Sequence, residues 1–446
     1  MAVVHAGVLS NIVQYVSSSH DVLSLLDALP RDALDTPLRT LQTLVSPPVA
    51  APWPHLCVDD LDCQHTLTLL AALSTFCSVS IENLYKLTEV LRDASSEPES
   101  DALCAATIDF ARKWGHKVTH IAAWWWPEEY TADTIATIIR HCTGLNSITH
   151  AKRIVYASSI LQDVYDCGDW RHVFGDWLAS AHATELRLDN IMCEDSVGFA
   201  RAIAAATSLT SLKLTNAPVL LQGLVEAGVV LQYITQLRLV VDHSDSIFAD
   251  ALVSNGVNLP ALRVLKLRSE DDADMTFVLR LLPYLVALER RRRRGTCDED
   301  DDVCLDLFAW AERSPCLEVV NVDAIDVVWR KPVLFGRQLR RWIQSGVDRV
   351  SLEDCDVDDM SITAIAGSLC DARRSRPFVL YFRGKPLRLR WYYMLIEALA
   401  TSTGVSIEGN DFSHADDRHD MENWATRFDL RLHRGGHNRF TIHSPV

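Results

Sequence analysis

Apolar residues in this chain fall into a short repeating phrase, Leu-x-x-Leu-x-Leu, and each copy is followed by an apolar stretch with helical spacing. The clearest copies are Leu209-Thr-Ser-Leu212-Lys-Leu214, Ile234-Thr-Gln-Leu237-Arg-Leu239 and Leu262-Arg-Val-Leu265-Lys-Leu267. Leu212 to Leu237 is a step of about 25 residues and Leu237 to Leu265 one of about 28, and a period in this range predicts a solenoid whose units bury their apolar faces only against their neighbours. Side chains alternate along a strand, so both leucines of a Leu-x-Leu core enter the interior and the middle residue faces out. The expected fold class is α/β, with parallel strands alternating with helices.

The regular strands are expected at Leu186-Arg-Leu188, Leu212-Lys-Leu214, Leu237-Arg-Leu239, Leu265-Lys-Leu267, Val320-Asn-Val322, Val350-Ser-Leu352, Leu380-Tyr-Phe382 and Val405-Ser-Ile407. Less regular strands are expected at Leu56-Cys-Val58, Val79-Ser-Ile81, Val118 to Ile121 and Leu145 to Ile148. Helices fill gaps at Ser196 to Ala206, Phe248 to Val253, Met275 to Leu288, Val303 to Glu312, Met360 to Ala372 and Trp391 to Ala400. Between Leu265 and Val320 the period doubles, which predicts an expanded loop carrying Arg290 to Arg294 and Asp298 to Asp302.

The two ends differ from the middle. Val8, Leu9, Ile12, Val13 and Val16 follow helical spacing, Val22 to Leu29 begin a second helix, and Leu34, Leu38, Leu41 and Leu44 suggest a third. Residues 1–45 therefore form a helical module, and the proline-rich residues 46–54 form a stiff linker. Residues 55–427 form the repeats. Residues 428–446 form a β-hairpin that caps the last unit, which has no neighbour of its own.

Charge narrows the function classes. The net charge is −16, which argues against bulk binding to nucleic acid or to an anionic membrane. No apolar run reaches a membrane span. The twelve cysteines lack a Cys-x-x-Cys pair, and several sit in apolar runs as small hydrophobes. Met1-Ala-Val-Val-His5 lacks the basic start and apolar core of a signal peptide. A cytoplasmic or nuclear, monomeric protein is expected.

The repeats resemble leucine-rich repeats of the ribonuclease-inhibitor-like kind. The best match is Val347-x-x-Val350-x-Leu352-x-x-Cys355-x-Val357, followed by Ile362, Ile365, Ala366 and Leu369. It looks like the cysteine-containing variant common in F-box proteins, while Ser406-Ile407-Glu-Gly-Asn410-Asp-Phe412 resembles the asparagine variant. The resemblance implies a curved solenoid, strands on its concave face and helices on its convex face, with the Cys or Asn capping backbone groups where the chain leaves the strand. Asn190 and Asn216 come one position early, and the repeats at Leu237 and Leu265 lack the residue.

Gly7-Val8-Leu9-Ser-Asn-Ile12-Val-Gln-Tyr15-Val16, a loop, then Asp21-Val22-Leu23-x-Leu25-Leu26 is similar to the opening of an F-box. That resemblance implies docking on a Skp1-like adaptor of a cullin ubiquitin ligase through Leu9, Ile12, Val16, Val22 and Leu25. The usual Leu-Pro before the first helix is missing. The alternative is that residues 1–45 only cap the first repeat.

In such a solenoid the middle residues of successive strands stack into a column on the concave face. It reads Arg187, Lys213, Arg238, Lys266, then Asn321, Ser351, Tyr381, Ser406. Four basic rungs in an acidic protein suggest a site for an acidic protein partner, held by charge-assisted hydrogen bonds, with Tyr381 as a further contact. The plainer reading is a solvated strand face neutralised by Glu185, Asp189 and Asp242. The next outward column reads Asp189, Thr215, Val240, Arg268, Asp323, Glu353, Arg383, Glu408, a charge gradient that would orient a peptide.

Other features favour plain readings. Trp124-Trp125-Trp126 suit packing at a repeat junction as well as a binding anchor. The Arg290 to Arg294 run, next to an acidic run, reads as a solvated loop more readily than as a targeting patch. His116/His120 and His433/His437 have loose metal spacing without a partner set. No Gly-x-Ser-x-Gly, phosphate-cradling loop or His-Glu-x-x-His occurs, so a binding protein without catalytic residues, metal or cofactor is expected.

Overall fold

The computed structural model describes residues 6–47, 49, 51–60, 63–84, 87–88, 91, 100–123, 131–151, 166–189, 191–215, 217–241, 259–269, 314–323, 327–384, 387–410, 415–435 and 439–444. They form two compact units, Met1–Leu209 and Thr210–Val446. The expected helices at 248–253, 275–288 and 303–312 lie outside the described residues. So do Trp124 to Trp126, the Arg290 to Arg294 and Asp298 to Asp302 runs, Asp242 and His437.

The first unit opens with helices Ala6–Gln14, Ser19–Asp27 and Thr36–Val45. Ser18 caps the second by accepting from the Asp21 N–H, and Asp35 caps the third by accepting from the Leu38 N–H at 3.1 Å. Leu9, Val13, Val22, Leu26, Leu38, Leu41 and Leu44 are buried, and the second helix packs on the third. The strands are β1 (His55–Cys57), β2 (Ser78–Ile81), β3 (Val118–Ala123), β4 (Ser147–Ala151), β5 (Asp166–Gly168), β6 (Glu185–Asp189) and β7 (Ile191–Cys193). β1, β2, β3, β4 and β6 pair in that order, all parallel. The irregular early strands thus join the same ladder as the regular ones. β5 and β7 pair apart from it, a feature the apolar pattern did not show.

The expected stiff linker is not free of the first unit: residues 51–54 pack within it. Ala51 is buried, the Trp53 ring lies 5.3 Å from that of Phe76, and Trp53 Nε1 donates to the Val16 carbonyl at 2.6 Å. Gln14 Nε2 donates to Ser74 O at 2.9 Å. Helix Thr36–Val45 packs on helix Cys63–Ala72.

The second unit contains β8 (Ser211–Thr215), β9 (Gln236–Val241), β10 (Val264–Ser269), β11 (Val319–Asp323), β12 (Arg349–Glu353), β13 (Arg373–Arg383), β14 (Thr403–Asn410), β15 (Arg431–Gly435) and β16 (Arg439–His443). Strands β8 to β14 are parallel neighbours in chain order, and the hairpin joins antiparallel through β16, leaving β15 last. Helices Pro332–Ser345, Asp359–Leu369, Leu389–Ala400 and Ala415–Arg427 pack each on the next.

One hydrogen-bond pattern recurs before the strands. The Thr210 carbonyl accepts from the N–H groups of Thr235 and Gln236, Thr235 O from Arg263 and Val264, Arg263 O from Glu318 and Val319, and Glu318 O from Asp348 and Arg349, all at 2.8–3.0 Å. In the first unit Asn146 O accepts from Thr184 and Glu185 in the same way. Each carbonyl satisfies two N–H groups at the point where the next strand begins, so no donor is left orphaned there.

The alternating leucines behave as expected. Leu212, Leu214, Leu237, Leu239, Leu265, Val320, Val322, Val350, Leu352, Leu380, Phe382, Val405 and Ile407 are all buried. Between helices the spacing is set by small residues. The Ser368 hydroxyl donates to Gly336 O at 2.5 Å and Ala364 O at 2.7 Å, and a Cβ on Gly336 would stand 2.7 Å from Ala364 O. The Cys355 thiol, expected to cap the backbone, lies 3.4 Å from Val322 O and 3.4 Å from Glu353 O. Asp358 and Ser361 form a reciprocal capping box at the following helix.

Because each strand supports both neighbours, a buried truncation should be costly. Leu380→Ala, at a side chain with no exposed surface, is expected to lower stability by about 2–5 kcal/mol in chemical denaturation.

Candidate partner-binding face

Lys213, Arg238 and Lys266 stand in one row across β8, β9 and β10, Lys213 opposite Arg238 and Arg238 opposite Lys266. Their neighbours Leu212, Leu214, Leu237, Leu239 and Leu265 are buried, so alternation turns the three cations to the opposite face. Lys213 and Arg238 are partly exposed and Lys266 is exposed. The flanking rows over β8 and β9, Ser211 with Gln236 and Thr215 with Val240, carry no carboxylate. Neighbouring strands are about 4.8 Å apart. At that separation like charges repel by roughly 1 kcal/mol in water, and an anion that touches all three relieves each pair at once.

Arg187 is exposed, as the middle residue of its own strand. It belongs to the first unit, opposite Thr149 of β4, and its Nε lies 2.7 Å from Glu185 Oε1. That carboxylate takes up its charge, as the plainer reading supposed.

Beyond β10 the row loses its charge. Asn321 follows Lys266, then Ser351 and Tyr381. Ser351 is 2% exposed and Tyr381 only 5%. Tyr381 is therefore not the open outward contact expected of it. The Arg349 guanidinium lies over its ring at 4.7 Å and also reaches Glu408 Oε2 at 3.3 Å. Arg349 was missed because it precedes the Leu-x-Leu-like core of its strand. Period-two alternation continued one step back from Ser351 places it on this face.

Ser406 also moves. β13 begins at Arg373, well before its apolar core, and its register with β14 shifts between Arg373 and Phe378. Glu408, not Ser406, therefore stands opposite Tyr381, and Ser406 stands opposite Val379. The second row runs Thr215, Val240, Arg268, Asp323, Glu353, Arg383 in register. Its charges pair internally, Arg268 with Asp323 at 3.7 Å and Arg383 with Glu353 at 3.3 Å. Burial holds the Asp323 carboxyl above its usual range. Glu353 and Asp354 reinforce this, and Arg268 and Arg238 oppose it.

The face thus has a basic end over β8 to β10 and an internally neutralised stretch over β11 to β14. The Thr215 hydroxyl and the Asn321 amide oxygen flank the basic end, and both are buried atoms without a hydrogen-bond partner among the described residues. The arrangement can hold carboxylates through cations and supply polar contacts beside them.

At the amino-terminal helices the expected docking residues divide. Leu9 and Val22 are interior, 5% and 0% exposed, and serve to pack the module rather than to dock. Val16 and Leu25 are partly exposed. Ile12 is 46% exposed, between Val8 at 49% and Tyr15 at 91%. Those three are four and three residues apart, one stripe along the first helix. The sequence carried this signal in the spacing of Val8, Ile12 and Tyr15.

His116 lies in the turn Gly115–Lys117 and His120 on β3, with Glu82 Oε2 3.6 Å from the His120 ring. His443 Nδ1 lies 2.7 Å from Ser406 Oγ, a bond that joins the terminal hairpin to β14.

No family model and no curated protein matches this chain.

Two histidines give the fold a pH dependence. Burial lowers the pKa of His120 below 6.5, with Arg187 adding to it and Glu82 and Glu185 opposing. Burial likewise lowers that of His443, with His433 and Arg431 adding to it and Glu408 opposing. The unfolded chain therefore binds more protons below about pH 6.5, so stability present above that pH is lost as the pH falls. Urea midpoints are expected to drop between pH 7.5 and pH 5.5. His443→Gln should shrink that drop.

Proposed function

We propose that this chain is a protein-recognition adaptor built on a leucine-rich-repeat solenoid, with no catalytic role. The observation that carries the reading is the row Lys213, Arg238, Lys266. Three cations in register, with no carboxylate in the flanking rows over β8 and β9, stand in a chain of net charge −16. The partner that fits is an acidic protein segment, because only the opposite charge relieves the repulsion of the row.

The F-box-like opening adds the second half of the proposal. The stripe Val8, Ile12, Tyr15 offers apolar surface for a Skp1-like adaptor, which would place the repeats in a cullin-type ubiquitin ligase as its substrate-binding subunit. A stand-alone scaffold is the second reading. It is favoured by the packing of helix Thr36–Val45 on helix Cys63–Ala72 and by the Gln14–Ser74 and Trp53–Val16 bonds, which suit a cap for the first repeat.

Point substitutions separate these readings without unmasking the first repeat, as deletion of residues 1–45 would. In pull-downs from lysate, Lys213→Glu with Arg238→Glu is expected to abolish capture of the acidic partner while leaving Skp1 and cullin bound. Ile12→Asp with Tyr15→Asp is expected to do the reverse. Partner capture unchanged by the first pair would refute the basic row as the site. Absence of ligase components from the unaltered chain would leave the scaffold reading.

A further inference from the structure

The carboxy-terminal hairpin does more than cover the last repeat. β15 is the final strand in the sheet order, paired with β16 along one edge. Its other edge has no strand partner among the described residues, so it presents backbone donors and acceptors that another strand could complete. A groove of about 430 Å³ lies between this strand and helix Ala415–Arg427, walled by Leu430 and Leu432 on one side and Glu422, Ala425 and Thr426 on the other.

The two faces of β15 differ. Leu432 stands opposite Ile442, which is fully buried, so it belongs to the core side, yet it remains partly exposed. Arg431 and His433 point to the other face by alternation, and both are exposed. The edge is thus apolar toward the helix and basic away from it. Its charge is reinforced by Arg427, exposed near the end of the helix. A second copy pairing through the same edge would set Arg431 and His433 against their own likenesses, which disfavours self-association.

We propose that β15 is a docking edge for an extended acidic peptide, added as a further strand. Period-two alternation fixes the pattern of that peptide. Its apolar residues enter the groove beside Leu430 and Leu432, where the Glu422 carboxylate disfavours an acid, and its Asp or Glu residues lie against Arg431 and His433. The ligand is an alternating acidic–apolar segment, read by main-chain hydrogen bonds for affinity and by side-chain pockets for specificity. Within the second unit this site lies at the other end of the strand order from Lys213, and it is independent of the partner assigned to that row.

The test uses the full chain and a fluorescent peptide of sequence Gly-Glu-Leu-Glu-Val-Glu-Gly, followed by fluorescence anisotropy. Saturable binding is expected, weakened at least tenfold by Arg431→Glu with His433→Glu, whose folding is checked by circular dichroism. Backbone N-methylation of alternate peptide residues should also weaken it, because strand pairing needs those donors. The same composition in scrambled order should bind less well. The proposal is overturned by absence of binding or by equal binding of the scrambled or N-methylated peptide. It is overturned equally if Lys213→Glu with Arg238→Glu, rather than the β15 pair, removes the peptide. Dimerisation of the chain through β15, lost on Arg431→Glu, would overturn it in favour of a second copy.

Discussion

The constraint on which the described repeats depend is the need to satisfy backbone groups where one repeat passes to the next. A carbonyl just before one strand accepts two successive N–H groups from the start of the following strand, as Thr210, Thr235, Arg263 and Glu318 do. This bond fixes the register of each strand on its predecessor, so leucine meets leucine across the ladder and the intervening residues align in rows. At Asp348 the carbonyl accepts from Val379 N–H alone, at 2.8 Å. Past it, β13 and β14 change register and the row of outward residues is displaced. The basic row on β8 to β10 exists only while register holds.

The legible part of the fold was the part governed by short-range alternation. A phrase of two leucines around one polar residue is enough to place a strand, its inner face and its outer residue, and Leu212, Leu237, Leu265, Val320 and Val350 all fall as that rule requires. The early strands, with weaker repeats, still lie parallel and in order, since Ile81, Ile121 and Ile148 supply the same inward apolar residue. What alternation could not show was long-range and geometric. The shift within β13, the separate pairing of β5 with β7 and the packing of residues 51–54 through Trp53 depend on contacts between segments distant in sequence. Proline-rich composition favours extension, but burial of Ala51 and the Trp53 ring outweighs it.

The candidate sites were legible to a lesser degree because exposure is a tertiary property. Lys213, Arg238 and Lys266 were visible as outward residues, and the register brings them together. Tyr381 satisfied the same alternation rule and is nonetheless covered, since Arg349 from the neighbouring strand can lie on its ring and reach Glu408 at once. In the first helix, spacing identified an amphipathic segment but not which face would be covered. Leu9 and Val13 are buried, and Val8, Ile12 and Tyr15 are left exposed.

The ends of a strand ladder pose a problem that its interior does not, because an end has backbone groups to satisfy and apolar surface to cover without a following repeat. At the amino-terminal end helix Thr36–Val45 packs on helix Cys63–Ala72, and Leu38, Leu41 and Leu44 are buried. The hairpin meets the problem by pairing, since β16 reverses direction on β14 and completes that strand's hydrogen bonds. Pairing transfers the difficulty to the next edge rather than removing it. At β15, which has no further strand partner among the described residues, exposed Arg431 and His433 lie beside a partly covered Leu432. Like charges on such an edge disfavour pairing with a second copy, so one electrostatic term can protect the fold against self-pairing and still admit a strand of opposite charge.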